Sequence, residues 1–199
     1  MTRIRTFALV VGSAVLGLVA AQAVAHCGKC AGSAMQMQKA MDAGKVTLAS
    51  AVTAAEAHSK GKAVTALAAL DGEKVKFTVH TVGGGKHQDV TVDGTGKATK
   101  MEESKLPPAR ATQHEEIVKA LEASKVTLGT VIAAGETHSK GKAMATIAEV
   151  EGGKVSFEVY ALAGDKLQEV AVDSTGKAAG MKEAKMLPGA AGAHKHDDK

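Results

Sequence analysis

The chain has 199 residues and a formal net charge of +4, with no Trp, one Tyr and three Phe. Nucleic-acid binding usually needs a concentrated basic face, often with aromatic side chains on which bases stack, and this composition argues against it. The length allows one domain or two small domains, each with a modest core of Ala, Val and Leu.

Residues 1–25 are typical of a secretory signal peptide. Arg3 and Arg5 precede an apolar run from Phe7 to Ala20, and Ala23-Val24-Ala25 offers small residues for cleavage. The run is short for a span of about 20 residues, which favours cleavage over a retained anchor. The sequence therefore predicts a periplasmic or secreted protein with no stable membrane insertion after signal cleavage.

Residues 26–34 form a Cys-containing N-terminal segment that begins with His26-Cys27-Gly-Lys-Cys30. Two cysteines at this spacing can close a local disulfide or bind a soft metal through thiolates. His26 would add a nitrogen ligand for zinc or copper. Three interpretations stay open: an inert pair or a disulfide, metal binding, and redox chemistry. The last normally needs a βαβ fold, which the rest of the sequence does not suggest.

The rest of the chain is dominated by an internal repeat. Lys45 to Glu103 aligns without gaps to Lys125 to Glu183 at a constant offset, and about half of the aligned residues are identical. Such self-similarity indicates one supersecondary unit used twice. The sequence predicts unit 1 over residues 35–106 and unit 2 over residues 113–187.

Each unit is predicted to begin with helices. Leu48, Val52 and Ala55 have helical spacing, and Gly61 is expected to end this helix. The block from His58 to Lys62, repeated from residue 138 to 142, is interpreted as this helix terminus, with an anion or peptide contact as the alternative. Capping patterns at 33–36 and 112–115 predict a preceding helix in each unit.

Three or four strands follow. Val75, Phe77 and Val79 alternate with polar residues, and glycine-containing turns separate the apolar segments. The predicted fold class is α+β, with each unit a helix packed on a three- to four-stranded antiparallel meander. Pro107-Pro108 predicts a linker over residues 107–112, and residues 188–199 are expected to form a disordered tail that contains His and Asp.

The order of helix, meander, Val-Asp, turn and Thr-Gly-Lys resembles the PepSY domain of bacterial secreted and membrane proteins. The turn has one residue between Asp and Thr, where the family usually has two. The resemblance implies a non-catalytic module that binds a protein or peptide, with regulation of a peptidase as the proposed role. The residues that carry it are Leu48, Ala51, Ala55, Gly61, Val79, Val92-Asp93 and Thr95-Gly96-Lys97, and in the second copy Leu128, Gly135, Gly141, Val159, Val172-Asp173 and Thr175-Gly176-Lys177.

Several histidines lie outside the repeated pattern. His80 and His87 are expected on strand surfaces, and neither they nor His114 are matched by a histidine in the other copy. His194 and His196 in the tail are candidates for weak binding of a divalent transition metal, because neutral imidazole is a common ligand. The usual alternative for such a tail is simple solvation.

The favoured function is a secreted or periplasmic interaction module of the PepSY type, which is not an enzyme and needs no cofactor. The alternative is an envelope protein that binds zinc or copper through His26, Cys27 and Cys30. No Ser-His-Asp set or His-Glu-x-x-His motif stands out to support catalysis.

Overall fold

The computed structural model describes the backbone of residues 19–151 and 153–188, and the side chains of residues 32–150 and 153–188. In this part of the chain four helices and eight strands follow in the order α1 (Val19–Gly44), α2 (Leu48–Ser59), β1 (Lys62–Asp71), β2 (Lys74–Gly83), β3 (Lys86–Asp93), β4 (Ala98–Glu103), α3 (Pro108–Ser124), α4 (Leu128–Ser139), β5 (Lys142–Glu151), β6 (Lys154–Ala163), β7 (Lys166–Asp173) and β8 (Ala178–Glu183). The predicted α+β class is confirmed.

The eight strands form one antiparallel sheet in the order β4-β3-β2-β1-β5-β6-β7-β8. Each strand from β1 to β4 pairs with the next strand in the chain, and so does each strand from β5 to β8. These two halves of the sheet meet at β1 and β5, where Ala66 pairs with Thr146 and Leu67 with Ala145. The sheet hydrogen bonds therefore continue across the middle of the molecule. The division of this sheet into two repeated units remains a prediction.

Helices α2 and α4 contact each other and pack on the sheet, α2 against β1–β3 and α4 against β5–β7. Thr47 begins α2 with a capping box: its hydroxyl accepts from the Ser50 amide at 3.1 Å, and the Ser50 hydroxyl accepts from the Thr47 amide at 2.9 Å. Lys60 ends the helix in the left-handed conformation with φ of 59°. This geometry agrees with the helix-terminus interpretation of residues 58–62.

The core between α4 and the sheet is tight. A Cβ added to Gly135 would lie 2.6 Å from the Cβ of Val159, below any normal contact distance. Phe77, Phe157, Leu48 and other aliphatic side chains fill the rest of one continuous core. The close approach explains why the second half has Gly135 on this helix face.

Two predicted helix starts are wrong, and so is part of the predicted linker. Helix α1 begins by Val19 rather than at Ser33, and α3 begins at Pro108 rather than at Thr112. Residues 108–112, predicted as linker, therefore form the first turns of α3. Pro fits the first helical position, because its missing N–H would have no intrahelical partner there. The Thr112 hydroxyl donates to the Pro108 carbonyl at 3.1 Å, inside the helix.

Candidate metal centre

The hairpin of β2 and β3 places two histidines and one aspartate on the same face of the sheet. His80 pairs with Asp89, and Val82 pairs with His87. Successive side chains alternate between the faces of a sheet, so these residues lie opposite Val79, which is fully buried on the other face. His80 and His87 therefore point away from the face that contains Val79.

Helix α3 covers this second face and contributes a third histidine. His114, Ile117 and Leu121 are the buried residues of the helix, and their spacing places them on one stripe. The side chain of His114 thus points inward with the apolar residues. Its ring centroid lies 4.6 Å from that of His80, in an edge-to-face arrangement.

The three imidazoles form a compact group. His80, His87 and His114 each offer one ring nitrogen, and the three nitrogens lie within 4.8 Å of one another. The Nε2 atom of His80 and the Nδ1 atom of His87 are 3.3 Å apart. Two nitrogen ligands of a tetrahedral zinc ion, each about 2.0–2.1 Å from the metal, are separated by roughly 3.3 Å. This pair already has the spacing of metal ligands.

A carboxylate is hydrogen-bonded to the outer nitrogen of His80, and a second carboxylate lies near the outer nitrogen of His87. The His80 Nδ1–H donates to Asp89 Oδ1 at 2.8 Å, so the Nε2 lone pair accepts the 3.3 Å hydrogen bond from His87 Nδ1 and would bind a metal in its place. Glu115 Oε1 lies 3.9 Å from His87 Nε2. Metal-binding histidines usually donate their other N–H to a carboxylate or carbonyl, which fixes the ring and makes the ligand more basic. Asp89 is placed for this role at His80, whereas Glu115 lies beyond hydrogen-bond distance of His87.

Electrostatics favour neutral imidazole at His114. The pKa of His114 is lowered from 6.5 to about 4; burial is the largest cause, electrostatic repulsion from His80, Arg110 and His87 contributes in the same direction, and Asp89 acts in the opposite direction. The hydrogen bond from His80 is the main cause of a lowered pKa at the Asp89 carboxyl. At neutral pH His114 therefore keeps a lone pair for a metal.

Two of the cluster's polar atoms have no hydrogen-bond partner among the described residues. They are Nε2 of His87 and Nδ1 of His114, and both are shielded from solvent. A buried polar atom without a partner costs about 1–3 kcal/mol, so such atoms usually mark a bound water, ion or functional group. A metal ion would give the His114 nitrogen the partner it lacks.

The second half of the sheet has a different set at the corresponding positions. Tyr160 replaces His80, Leu167 replaces His87, and Ala34 of α1 corresponds to His114. The Tyr160 hydroxyl donates to Glu158 at 2.7 Å, and Leu167 and Ala34 are buried. Among the described side chains, His80 and His87 of the first half and His114 of α3 are the one group found with metal-ligand spacing.

The structure differs from the sequence-based site predictions. The expectation that His80 and His87 lie on strand surfaces is wrong for His80, which is only 5% exposed, because α3 covers that face. The backbone of His26, Cys27 and Cys30 lies in α1, but their side chains fall outside the described ones. His194 and His196 lie outside the described residues. The predicted sites therefore stay untested.

Comparisons with known proteins do not assign a family. No protein-family model matches the chain, and no curated protein matches it. The structure is weakly similar to that of a candidate lipoprotein from Clostridium difficile 630, with a TM-score of 0.39, 13% identity, and coverage of 65% of this chain and 86% of that one. A similarity this weak carries no argument about function. The PepSY resemblance remains a prediction.

None of the described helices combines the length and the apolar character that a membrane-spanning helix requires.

Proposed function

We propose that this protein binds one divalent transition-metal ion, zinc or copper, through His80, His87 and His114. The observation that supports this most directly is the convergence of three ring nitrogens within 4.8 Å, two of them 3.3 Å apart. Imidazole nitrogen suits zinc and copper. The site differs from the predicted cysteine site, but the metals proposed to bind, zinc or copper, are the same.

The carboxylate contacts support a metal site over a merely buried polar cluster. Asp89 fixes the His80 ring with Nε2 directed toward His87, and Glu115 is placed beside the outer nitrogen of His87. A cluster that served only packing would not need three imidazoles, two of them with shielded ring nitrogens that lack a hydrogen-bond partner among the described residues, as the apolar counterparts Leu167 and Ala34 show. The proposed role is binding rather than catalysis.

The other predictions from the sequence are carried forward as part of this proposal. We propose that the protein is exported after cleavage of residues 1–25 and acts in the periplasm or outside the cell. We also propose that the two halves of the sheet are repeated copies of one helix–meander unit. The paired registers support this: His80 pairs with Asp89 as Tyr160 pairs with Glu169.

A second candidate is the PepSY-type interaction module. It is favoured by the two edges of the sheet, because β4 and β8 are mostly exposed and each has a neighbouring strand on one side alone among the described strands. Exposed edges can accept an extended peptide as an additional strand. Capture of a protein partner that is lost when Met101 is replaced by Pro, but not by Ala, would support this role.

The metal proposal is tested by competition for zinc against a chelating dye. We expect the metal-free wild-type protein to bind one zinc ion per chain. His114→Ala introduces the residue that the second half has at this position, and should weaken binding by more than the roughly 10–100-fold typical of supporting residues. His138→Ala, which removes an exposed histidine at the end of α4, is the matched control. Equal affinity in both variants would contradict the proposal.

A further inference from the structure

We propose that metal reaches the three histidines through a cavity beside helix α3, and that Glu115 is the first side chain to bind it. The inference rests on the proposed function and specifies how an ion enters the site. Glu115 is thereby assigned to the rate of metal binding rather than to its final strength.

The histidine cluster needs an entry route because its inner members are closed off from solvent. His80 and His114 are each only 5% exposed, since α3 lies over this face of the sheet. The side chain of His87 is 11% exposed and is the most accessible of the three. An ion that comes from solvent therefore meets the cluster at His87.

A cavity of about 740 Å³, which we call the entry cavity, adjoins His87. Its wall includes Val82, the strand partner of His87, and residues 83–85, the turn that leads into β3. Helix α3 contributes Glu115 and Val118. The Glu115 side chain is 49% exposed, and its Oε1 atom lies 3.9 Å from His87 Nε2. Glu115 therefore belongs both to the solvent-accessible cavity wall and to the edge of the cluster.

The outer nitrogen of His87 and the Glu115 carboxylate face each other as two acceptors. When His87 Nδ1–H donates to His80 Nε2 at 3.3 Å, Nε2 of the neutral His87 ring carries a lone pair. This Nε2 atom is shielded and has no hydrogen-bond partner among the described residues. Two acceptors without a proton between them gain nothing from each other, whereas a cation between them would bind both.

The distance between these two atoms suits a shared metal ion. Nitrogen and oxygen ligands of a tetrahedral zinc ion, each about 2.0–2.2 Å from the metal, are separated by roughly 3.3–3.6 Å. A small rotation of the half-exposed Glu115 side chain closes the 3.9 Å gap to that value. From this position the ion moves to the inner nitrogens of the cluster, because three imidazoles hold it more strongly than one imidazole and one exposed carboxylate.

The second half of the sheet lacks this carboxylate together with the histidines. Met35 of α1 corresponds to Glu115, and it follows Ala34, which corresponds to His114. Met35 is 42% exposed, so this position accepts an apolar side chain where no histidine cluster is present. The carboxylate and the proposed ligands thus occur in the same half, as expected of residues that serve one site.

The corresponding entrance is bridged in the second half. Asp42 of α1 and Lys142 of β5 form an ion pair there. Their counterparts, Glu122 and Lys62, line the entry cavity instead. The path beside the covering helix is therefore open in the half that has the histidines.

The entry cavity as a whole does not favour cations, because its wall has as many basic as acidic side chains. The acidic ones are Glu56, Glu115 and Glu122, and the basic ones are Lys60, Lys62 and Lys119. Glu56 already accepts a hydrogen bond from the Ala63 amide at 2.9 Å. Among these carboxylates, Glu115 is the one that lies within 4 Å of a histidine nitrogen of the cluster. The proposal therefore assigns the role to this residue and not to general attraction by the cavity.

The test is stopped-flow mixing of metal-free protein with cobalt(II), followed by the visible absorption of the bound ion. The kinetic phase that His114→Ala removes reports the histidine site. We expect Glu115→Gln to slow this phase at least about tenfold, because well-placed charges raise association rates by about 10–1,000-fold. Release of cobalt into excess chelator should slow in proportion, since an entry ligand lowers the barrier in both directions. The dissociation constant should stay nearly unchanged.

Glu122→Gln is the matched control, because it removes the same charge from the same cavity wall. It should bind cobalt at the wild-type rate. Glu115→Met introduces the residue of the second half and should bind as slowly as Glu115→Gln. Wild-type association in either Glu115 variant would overturn the inference.

The remaining outcomes also decide the question. Equal slowing by Glu122→Gln would show general electrostatic attraction and overturn the specific role of Glu115. Unchanged association with faster release in Glu115→Gln would make Glu115 a permanent ligand of the bound ion and not an entry residue. If the wild-type protein shows no cobalt binding that His114→Ala removes, the proposed function itself fails, and this inference fails with it.

Discussion

Replacing His87 with Leu separates the metal function from the stability of the fold. Position 87 corresponds to Leu167, which is buried at 6% exposure in the same place on the second half of the sheet. The substitution therefore introduces a side chain that this architecture already accommodates. It also removes one of the three proposed ligands.

The structure predicts a small effect on the metal-free protein. The substitution removes the buried Nε2 atom of His87, which has no hydrogen-bond partner in the described part of the chain. It also removes His87 Nδ1, so His80 Nε2 loses its hydrogen bond of 3.3 Å. Each unpartnered buried atom costs about 1–3 kcal/mol, so gain and loss nearly cancel. Burial of the Leu side chain adds about 1 kcal/mol of stability. Metal-free His87→Leu should thus be as stable as wild type or slightly more stable.

The effect of metal should be large in comparison. A ligand present at a hundred times its dissociation constant stabilises the native state by about 2.7 kcal/mol. For a chain of this length that corresponds to a rise in Tm of roughly 5–10 °C. Wild-type protein should show this rise in zinc, and His87→Leu should show little or none.

The assay is thermal unfolding followed by circular dichroism, with excess chelator or with zinc. His58→Ala, an exposed histidine at the end of α2, serves as the control and should keep the zinc-dependent rise. An equal rise in wild type and His87→Leu would refute the assignment of His87 as a ligand. A collapse of the metal-free variant would refute the argument that Leu fits this position.

Three further predictions concern stability. Gly135→Ala should destabilise the protein by about 1–3 kcal/mol in urea unfolding, because the new methyl group would overlap Val159; an unchanged midpoint would contradict this packing. The metal-free protein should lose stability as pH falls from 6.5 toward 4, since His114 has a lowered pKa of about 4 when folded and takes up its proton on unfolding. The contribution of His114 to this loss should approach about 3 kcal/mol, so His114→Ala should lose correspondingly less stability over this range, and an equal pH dependence in both proteins would contradict it. Asp93→Ala should lower the free energy of unfolding by about 1–2 kcal/mol, because the Asp93 carboxylate accepts hydrogen bonds from the amides of residues 95 and 97 and from the hydroxyl of residue 95. An unchanged unfolding midpoint would show that water replaces these bonds.

Much of the local structure could be predicted from the sequence because its signals are local. Alternation at Val75, Phe77 and Val79 predicts a strand with one buried face, and these residues lie in β2. The pairing of β1 with β5 could not be predicted in this way. Alternation shows which face of a strand is buried, but it does not show which strand lies beside it. The joining of Ala66 to Thr146 depends on tertiary packing between the halves.

The histidine site was missed for a related reason. The alternation places His80 opposite Val79, and the opposite face was expected to be in water, but α3 covers it. Two signals in the sequence point to this. Leu167, at the position of His87, indicates a covered face, and His114 shares its helical spacing with Ile117 and Leu121. Only the fold brings residues 80, 87 and 114 together.

The most direct test of the central claim is X-ray absorption spectroscopy of the zinc-loaded protein at one metal ion per chain. The histidine site predicts a first shell of nitrogen or oxygen at about 2.0–2.1 Å, with the outer-shell scattering that imidazole rings produce. A sulfur shell at about 2.3 Å would contradict it, because that distance would place the metal on Cys27 and Cys30 instead.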